Sequence, residues 1–383
     1  MRLVLANEKL VVSGRTYEGF PLLLDDKSDA IQPAQRFLWE LLLSPGKRNS
    51  KDTWAAYGRS LYDYFAFLSA NNLDWTANPA LGSAGPLVKY RDWSRGELEL
   101  SPRTVNQRMR IVVRFYVWAL ETRLIETLPF DKSTIRLNPD PGFASHLNSG
   151  DVLTQTPDVL LREPGLSIPF ITKEQAKDCL QNISNYTHQL IFQLMLRTGL
   201  RQVECRTFPE KYVFDPTRRK DLSIGQKIRI SLNPRDMRIK FNKPRDIDIP
   251  YDLMEDLFWY ASRHRQKREN NVSDDSKFAT LFLTETGRPY GKTAFTDIFS
   301  RLTSRVNYKV RPHMLRHTYA TYLLWSLRKS KDFKGEPLLY VRDRLGHSSV
   351  KTTAKYLHLI NNLEGHLILQ HEDELDKLFS SED

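Results

Sequence analysis

At 383 residues, with 40% apolar and 11% aromatic side chains, the chain has the length for two domains and the composition of an ordinary soluble protein. No stretch approaches the roughly 18 apolar residues of a membrane span, the apolar run after Met1 is too short for a signal peptide, and Cys179 and Cys205 alone make no disulfide framework, which suits a reducing cytoplasm. Of the net charge of +11, the segment from Leu357 to Asp383 carries −6 (seven carboxylates, one lysine), leaving +17 on residues 1–356, a balance that fits a polyanionic partner or simply a basic surface.

Residues 1–48 read as a mixed N-terminal segment of open role, with one short apolar run from Phe37 to Leu43. Between Lys51 and Ala70, the residues Trp54, Tyr57, Leu61, Tyr64, Phe65 and Leu68 recur near the helical period and predict a helix. Ser101-Pro102 supplies an N-cap and a first-turn proline for a second long helix, reaching to about Thr122. Its apolar face is Val105, Met109, Val112, Val113, Tyr116 and Leu120. Arg103, Gln107, Arg110 and Arg114 form a second stripe on it, either a solvated basic face or a face for phosphates. Residues 49–130 therefore form a helical domain. Pro139, Pro141, Pro157 and Pro164, with scattered Gly, Ser, Asp and Asn, mark 131–168 as an interdomain linker.

A second domain, 169–358, opens on the capping-box pattern Thr172-Lys173-Glu174-Gln175. A buried helix follows around Leu190 to Leu196, with Gly199 as its left-handed stop. Alternation of polar and apolar residues predicts strands at Lys227 to Leu232, Met237 to Phe241 and Arg245 to Ile249, a small antiparallel sheet. Helical patterns return at Tyr251 to about Lys267, Thr293 to Val306, Pro312 to Leu327 and Pro337 to Leu345. The fold class is mainly α with a small antiparallel β-sheet: a helical domain followed by an α+β domain. An acidic tail, 359–383, contains Leu359, Ile360, Leu363, Leu367 and Leu369; it either docks on a neighbouring copy or packs on its own domain.

Four motifs carry chemistry-bearing side chains. They are Thr198-Gly199-Leu200-Arg201 with Glu204, His313-Met314-Leu315-Arg316-His317, Leu345-Gly346-His347, and Thr353-Ala354-Lys355-Tyr356, with Tyr356 nine residues after His347. Between the first two lies a basic turn, Lys240-Phe241-Asn242-Lys243-Pro244-Arg245. Each has an ordinary reading alone: an Arg201–Glu204 ion pair, solvated histidines, a core tyrosine. A zinc site from His313, His317, His347 and His358 lacks a His-Glu-x-x-His pattern and leaves two arginines unexplained, so no metal and no cofactor are expected.

In combination and order, these motifs resemble those of the tyrosine recombinases of the phage-integrase type. The resemblance covers about Pro169 to His358; the helical domain is similar to the family's core-binding domain by pattern and position only. It implies a site-specific recombinase in which Tyr356 attacks a DNA phosphodiester, forms a 3′-phosphotyrosine and frees a 5′-hydroxyl. Arg201 and Arg316 would hold the phosphate oxygens with forked hydrogen bonds. His313 would serve as base or phosphate donor, Lys240 as general acid to the leaving oxygen (with Lys243 as the alternative), and His347 as a further phosphate donor or orienting group. Glu204 would fix Arg201. Bond energy kept in the covalent intermediate means that rejoining needs no ATP.

The implied partners are double-stranded DNA, held in a C-shaped clamp, a homotetramer acting on two DNA sites and possible accessory DNA-bending proteins, with no membrane, in the cytoplasm at the nucleoid. Arg103, Gln107, Arg110, Arg114 and Lys243 are the DNA-binding candidates. Two other readings compete: a type IB topoisomerase, which uses a similar residue set, and a DNA-binding accessory protein without catalysis.

Overall fold

The computed structural model describes residues 1–43, 50–77, 84–137, 152–164, 168–270, 278–350, 352–357 and 359–360. It divides into two units, Met1–Leu166 and Ser167–Asp383. Helices predominate, and the strands among the described residues pair as four two-stranded antiparallel ribbons, in keeping with the expected fold class.

The first unit starts with β1 (Arg2–Leu5), β2 (Val11–Val12), β3 (Arg15–Thr16) and β4 (Pro21–Leu24). β1 pairs with β4 from Arg2↔Leu24 to Leu5↔Pro21, and β2 with β3 as a short hairpin between them. Four helices follow: α1 (Gln32–Leu43), α2 (Lys51–Ala70), α3 (Pro86–Gly96) and α4 (Pro102–Glu121). The expected caps are present: Ser50 Oγ accepts from Thr53 N, and Ser101 Oγ from Thr104 N, each at 3.2 Å. The apolar stripe of α4 faces inward, with Val105, Met109, Val112 and Tyr116 buried against Leu61, Tyr64, Phe65 and Tyr90 of α2 and α3. The buried phenol of Tyr116 donates to the Trp75 carbonyl at 2.8 Å, which offsets the cost of taking it out of water.

Two expectations change here. Residues 1–43 form no separate segment: Phe20, Leu23, Phe37, Leu38 and Leu42 join the same core as α2 and α4. Strands of two and four residues are too short for a period of two to be read from sequence. The expected linker 131–168 holds a ribbon, β5 (Lys132–Leu137) paired with β6 (Val152–Pro157) from Lys132↔Pro157 to Leu137↔Val152. Beyond it, Asn106 of α4 clamps the chain: its side chain donates to Leu161 O at 2.7 Å and accepts from Leu161 N at 2.9 Å. Val159 is buried in the same core. Pro139 and Pro141, on which the linker reading leaned, lie outside the described residues.

The second unit begins with α5 (Lys173–Gln181), whose capping box is complete: Gln175 N donates to Thr172 Oγ1 at 3.2 Å and Thr172 N to Gln175 Oε1 at 2.9 Å. α6 (Tyr186–Thr198) ends at Gly199, left-handed at φ 68°, and α7 (Gln202–Arg206) follows at once. β7 (Lys227–Leu232) and β8 (Arg245–Pro250) pair from Lys227↔Pro250 to Leu232↔Arg245. The strand expected at Met237 to Phe241 is instead part of their connection. Met237 and Ile239 are buried there, which produced the alternation, but Phe241 and Asn242 take φ of 64° and 51° and fold the chain into a tight turn.

α8 (Tyr251–Trp259) runs through a widened turn at Tyr260–Arg265 into α9 (Gln266–Glu269), giving the single long helix expected there. α10 (Ala294–Thr303), α11 (Pro312–Lys329), α12 (Pro337–Leu345) and a last helical turn over 352–357 complete the unit. α11 packs on α6 and α12, and α12 also packs on β8. That packing brings the end of α6, the middle of α11 and the end of α12 to one place. Leu359 and Ile360 are buried in the cluster formed by Leu324, Leu338, Val341, Leu345 and Tyr356. The rest of the acidic tail, including Leu363, Leu367 and Leu369, lies outside the described residues.

Candidate active site

Two left-handed glycines make the site possible. Gly199 closes α6 and Gly346, at φ 61°, closes α12. A Cβ on Gly199 would lie 2.4 Å from Tyr319 Cδ1, and one on Gly346 would lie 2.9 Å from Arg245 Cδ, so both turns are also points of close approach. Their carbonyls, and that of Leu345, point at guanidinium groups.

Arg316 enters from α11, 1% exposed. It donates to Gly199 O at 2.7 Å and to Leu345 O. Burial and the neighbouring Arg201 push its pKa down, but a guanidinium with two carbonyl acceptors keeps its charge at neutral pH. Arg201, at the start of α7, donates to Gly346 O at 3.4 Å and to Glu204 Oε1 at 2.9 Å. The two expected arginines therefore converge on consecutive carbonyls of one turn.

Glu204 is fully buried and serves as the anchor beneath them. Its carboxylate accepts from Arg201 N and Nη1 and, through both oxygens, from Arg245 at 2.9 and 2.6 Å. Burial pushes its pKa up, but the two guanidinium groups and the Arg201 amide outweigh that and bring it to about 2. Arg245 also donates to Arg344 O at 3.1 Å, tying β8 to the end of α12. The motif reading assigned Arg245 no role; it faces Glu204 only because β8 lies alongside α12, which no local spacing reveals.

Tyr356 is 2% exposed. Burial raises its pKa, while the positive charges of Arg316 and Arg201 act against that rise. Its hydroxyl lies 2.9 Å from His317 Nδ1. His347 lies parallel to its ring, with centroids 6.2 Å apart and planes at 9°, and turns its own Nδ1 to Thr353 Oγ1 at 3.0 Å. Burial, Arg316 and Arg201 lower the His347 pKa to about 3, so the ring is neutral at physiological pH. His313, exposed at the rim of the site, packs edge-on against His317 with centroids 4.5 Å apart. The desolvated side of its ring and the charges of Arg316, Arg201 and Lys240 lower its pKa.

Lys240 is exposed in the turn between β7 and β8, its ammonium 5.0 Å from the ring centroid of the exposed Phe241. Its positive charge is among those that lower the His313 pKa. Lys243 is exposed in the same turn. The residue that motif reading set aside is His317, considered only as a metal ligand. The signal was available: it follows His313 by one helical turn and so shares its face.

In the first unit, Arg103, Gln107, Arg110 and Arg114 all lie exposed along α4, the continuous stripe that the spacing predicted. Arg110 is paired with Glu163 at 2.6 Å and Arg114 donates to Tyr57 Oη at 2.7 Å.

Residues 169–362 match the model of the phage integrase family. Among individual relatives, transposase A of transposon Tn554 from Staphylococcus aureus is 24% identical over 92% of this chain and 94% of its own length. The tyrosine recombinase XerH of Campylobacter jejuni is 31% identical over 52% of this chain and 51% of its own. Among solved structures, the Tn1549 transposon integrase in complex with transposon right end DNA superposes with a TM-score of 0.54, at 16% identity over 84% of this chain and 94% of that one. XerH bound to its palindromic difH substrate gives 0.53 at 15% identity, over 91% and 92%. The family match spans just over half of the chain and contains Arg201, Glu204, Lys240, Arg245, His313, Arg316, His347 and Tyr356; the chain belongs to the phage integrase family of tyrosine recombinases, enzymes of site-specific recombination that cleave and rejoin DNA strands.

Proposed function

We propose that the chain exchanges strands of double-stranded DNA through a covalent bond to Tyr356, with neither metal nor ATP. The observation that carries this reading is the convergence of Arg201 and Arg316 on the Leu345–Gly346 turn, with their charges acting on the phenol of Tyr356. A phosphodiester repels nucleophiles because it is already anionic, and in-line attack spreads more charge over its equatorial oxygens. Two permanently charged forks answer both problems. The Tyr356 oxygen displaces the 5′-oxygen and becomes esterified to the 3′-phosphate; reversal with a new 5′-hydroxyl rejoins the strand. Lys240, on its exposed turn, protonates the leaving oxygen; His313 and His347 donate to the phosphate; Glu204 holds Arg201 in place.

The duplex partner is supported by the net charge of +11 and by the exposed stripe Arg103, Gln107, Arg110 and Arg114, with Lys243 in the second unit. Relatives bound to transposon-end and difH DNA agree with it. Two duplex sites held by four copies are the assembly this chemistry calls for, since each copy supplies one tyrosine and two duplexes have four strands to exchange. Accessory DNA-bending proteins fit the same assembly.

A nicked duplex built on DNA recovered covalently from cells tests the reading. Wild-type protein should retain the DNA through denaturation, in chelator and without nucleotide, and Tyr356→Phe should retain none. A wild type that traps nothing, or a phenylalanine variant that still traps DNA, overturns it. Supercoil relaxation without strand exchange would favour the topoisomerase.

A further inference from the structure

We infer that His317, and not His313, takes the phenol proton of Tyr356 when the strand is cut. The inference rests on the reading of Tyr356 as nucleophile and goes beyond it by naming the acceptor. His317 Nδ1 lies 2.9 Å from the phenol oxygen. Tyr356 is only 2% exposed, so a protein side chain rather than bulk water stands beside that proton in the wild type. The other rings are placed differently. His347 lies parallel to the tyrosine ring and turns its Nδ1 to Thr353 Oγ1 rather than to the hydroxyl. His313 sits at the exposed rim, edge-on to His317 and within the field of Lys240, where a phosphate oxygen would lie.

The step balances. The Tyr356 O–H bond breaks and its proton passes to Nδ1, making an imidazolium. The phenol oxygen forms its bond to phosphorus as the bond from phosphorus to the 5′-oxygen breaks. That oxygen takes a proton from Lys240, which is left as a neutral amine. Rejoining runs the same transfers backwards and resets both groups. His313 and Arg316 on the same helix and Tyr356 from the C-terminal segment bear on this imidazole, while Arg201 from α7 acts on the neighbouring His347. Burial, His313 and Arg316 hold His317 at about 4 in the free protein, so it is an unprotonated acceptor at neutral pH. A phosphodiester held by Arg201 and Arg316 adds negative charge nearby and strengthens that acceptor when DNA is in place.

The test is the rate of adduct formation on the nicked duplex between about pH 6 and 9, for wild type, His317→Asn, His317→Ala and His313→Asn. Wild type should be flat. Both His317 variants should fall by roughly 10²- to 10⁴-fold at neutral pH and then rise about tenfold per pH unit, as hydroxide replaces the lost base. Added imidazole should restore part of the alanine variant's rate. His313→Asn should be slower but flat. Thermal melts of each variant separate lost chemistry from lost folding. Asparagine keeps an acceptor at the Nδ1 position but takes no proton, so wild-type rate and profile in His317→Asn would overturn the inference and leave His317 a positioning residue. The pH slope appearing in His313→Asn alone would overturn it in favour of His313. Absence of adduct in the wild type would instead bring down the nucleophile reading itself.

Discussion

Glu204 has no solvent exposure and holds two guanidinium groups at once, so it concentrates the electrostatics of the site in one residue. Its pKa of about 2 in the fold lies below the ordinary 4.5 of the unfolded chain. Its stabilisation is therefore complete above about pH 4.5 and is lost as pH falls through about 2. Glu204→Gln should cost about 3 kcal/mol at neutral pH, because the half-buried Arg201 and Arg245 lose their counter-charge. Urea unfolding should show that gap and its narrowing as pH falls from about 4.5 towards about 2. Adduct formation should drop as well, since Arg201 loses its support. Glu204 was legible from sequence as the partner of Arg201, three residues away on one helical turn. Its second partner was not, because Arg245 is forty-one residues distant and meets it through tertiary packing.

At the scale of elements, short connections do the positioning. α6 and α12 each end in a left-handed glycine, and the carbonyls released there become the acceptors of Arg201 and Arg316. Gly199→Ala places a side chain in a backbone region costing about 1–2 kcal/mol and drives its Cβ into Tyr319, adding about 1–3 kcal/mol of overpacking. Chemical denaturation should register a loss of several kcal/mol, and trapping of nicked DNA should fall with it. Helices with strong periodicity and caps were readable to within a residue or two: Lys51 to Ala70, the helix opened by Ser101-Pro102, and Pro337 to Leu345. The turn at Phe241 and Asn242 was not, because alternating burial of Met237 and Ile239 mimics a strand while positive φ values prevent one.

For the molecule as a whole, charge sets the behaviour toward DNA. Duplex affinity should fall steeply with salt, each phosphate contact contributing about 0.9 to the slope of log K against log salt. Arg103→Ala should lower that slope by about one contact. Arg110→Ala should lower it less, because Arg110 already has Glu163 as a counter-ion in the free protein. Fluorescence anisotropy titrations across a salt series would measure both, and equal slopes would remove the α4 stripe from the interface. Residues 1–43 illustrate the opposite limit of reading: their apolar side chains complete the core of the first unit, yet strands this short carry no periodic signal.

Local order and residue type were enough to reveal the helices, the family and most of the side chains gathered at the candidate site, because caps, helical period and motif spacing are properties of neighbouring residues. The second partner of Glu204, the burial of Tyr356 and its hydrogen bond to His317 became visible only in three dimensions. Those contacts join residues far apart in the chain, and the packing of α11 on α6 and α12, rather than any spacing along the backbone, sets their distances.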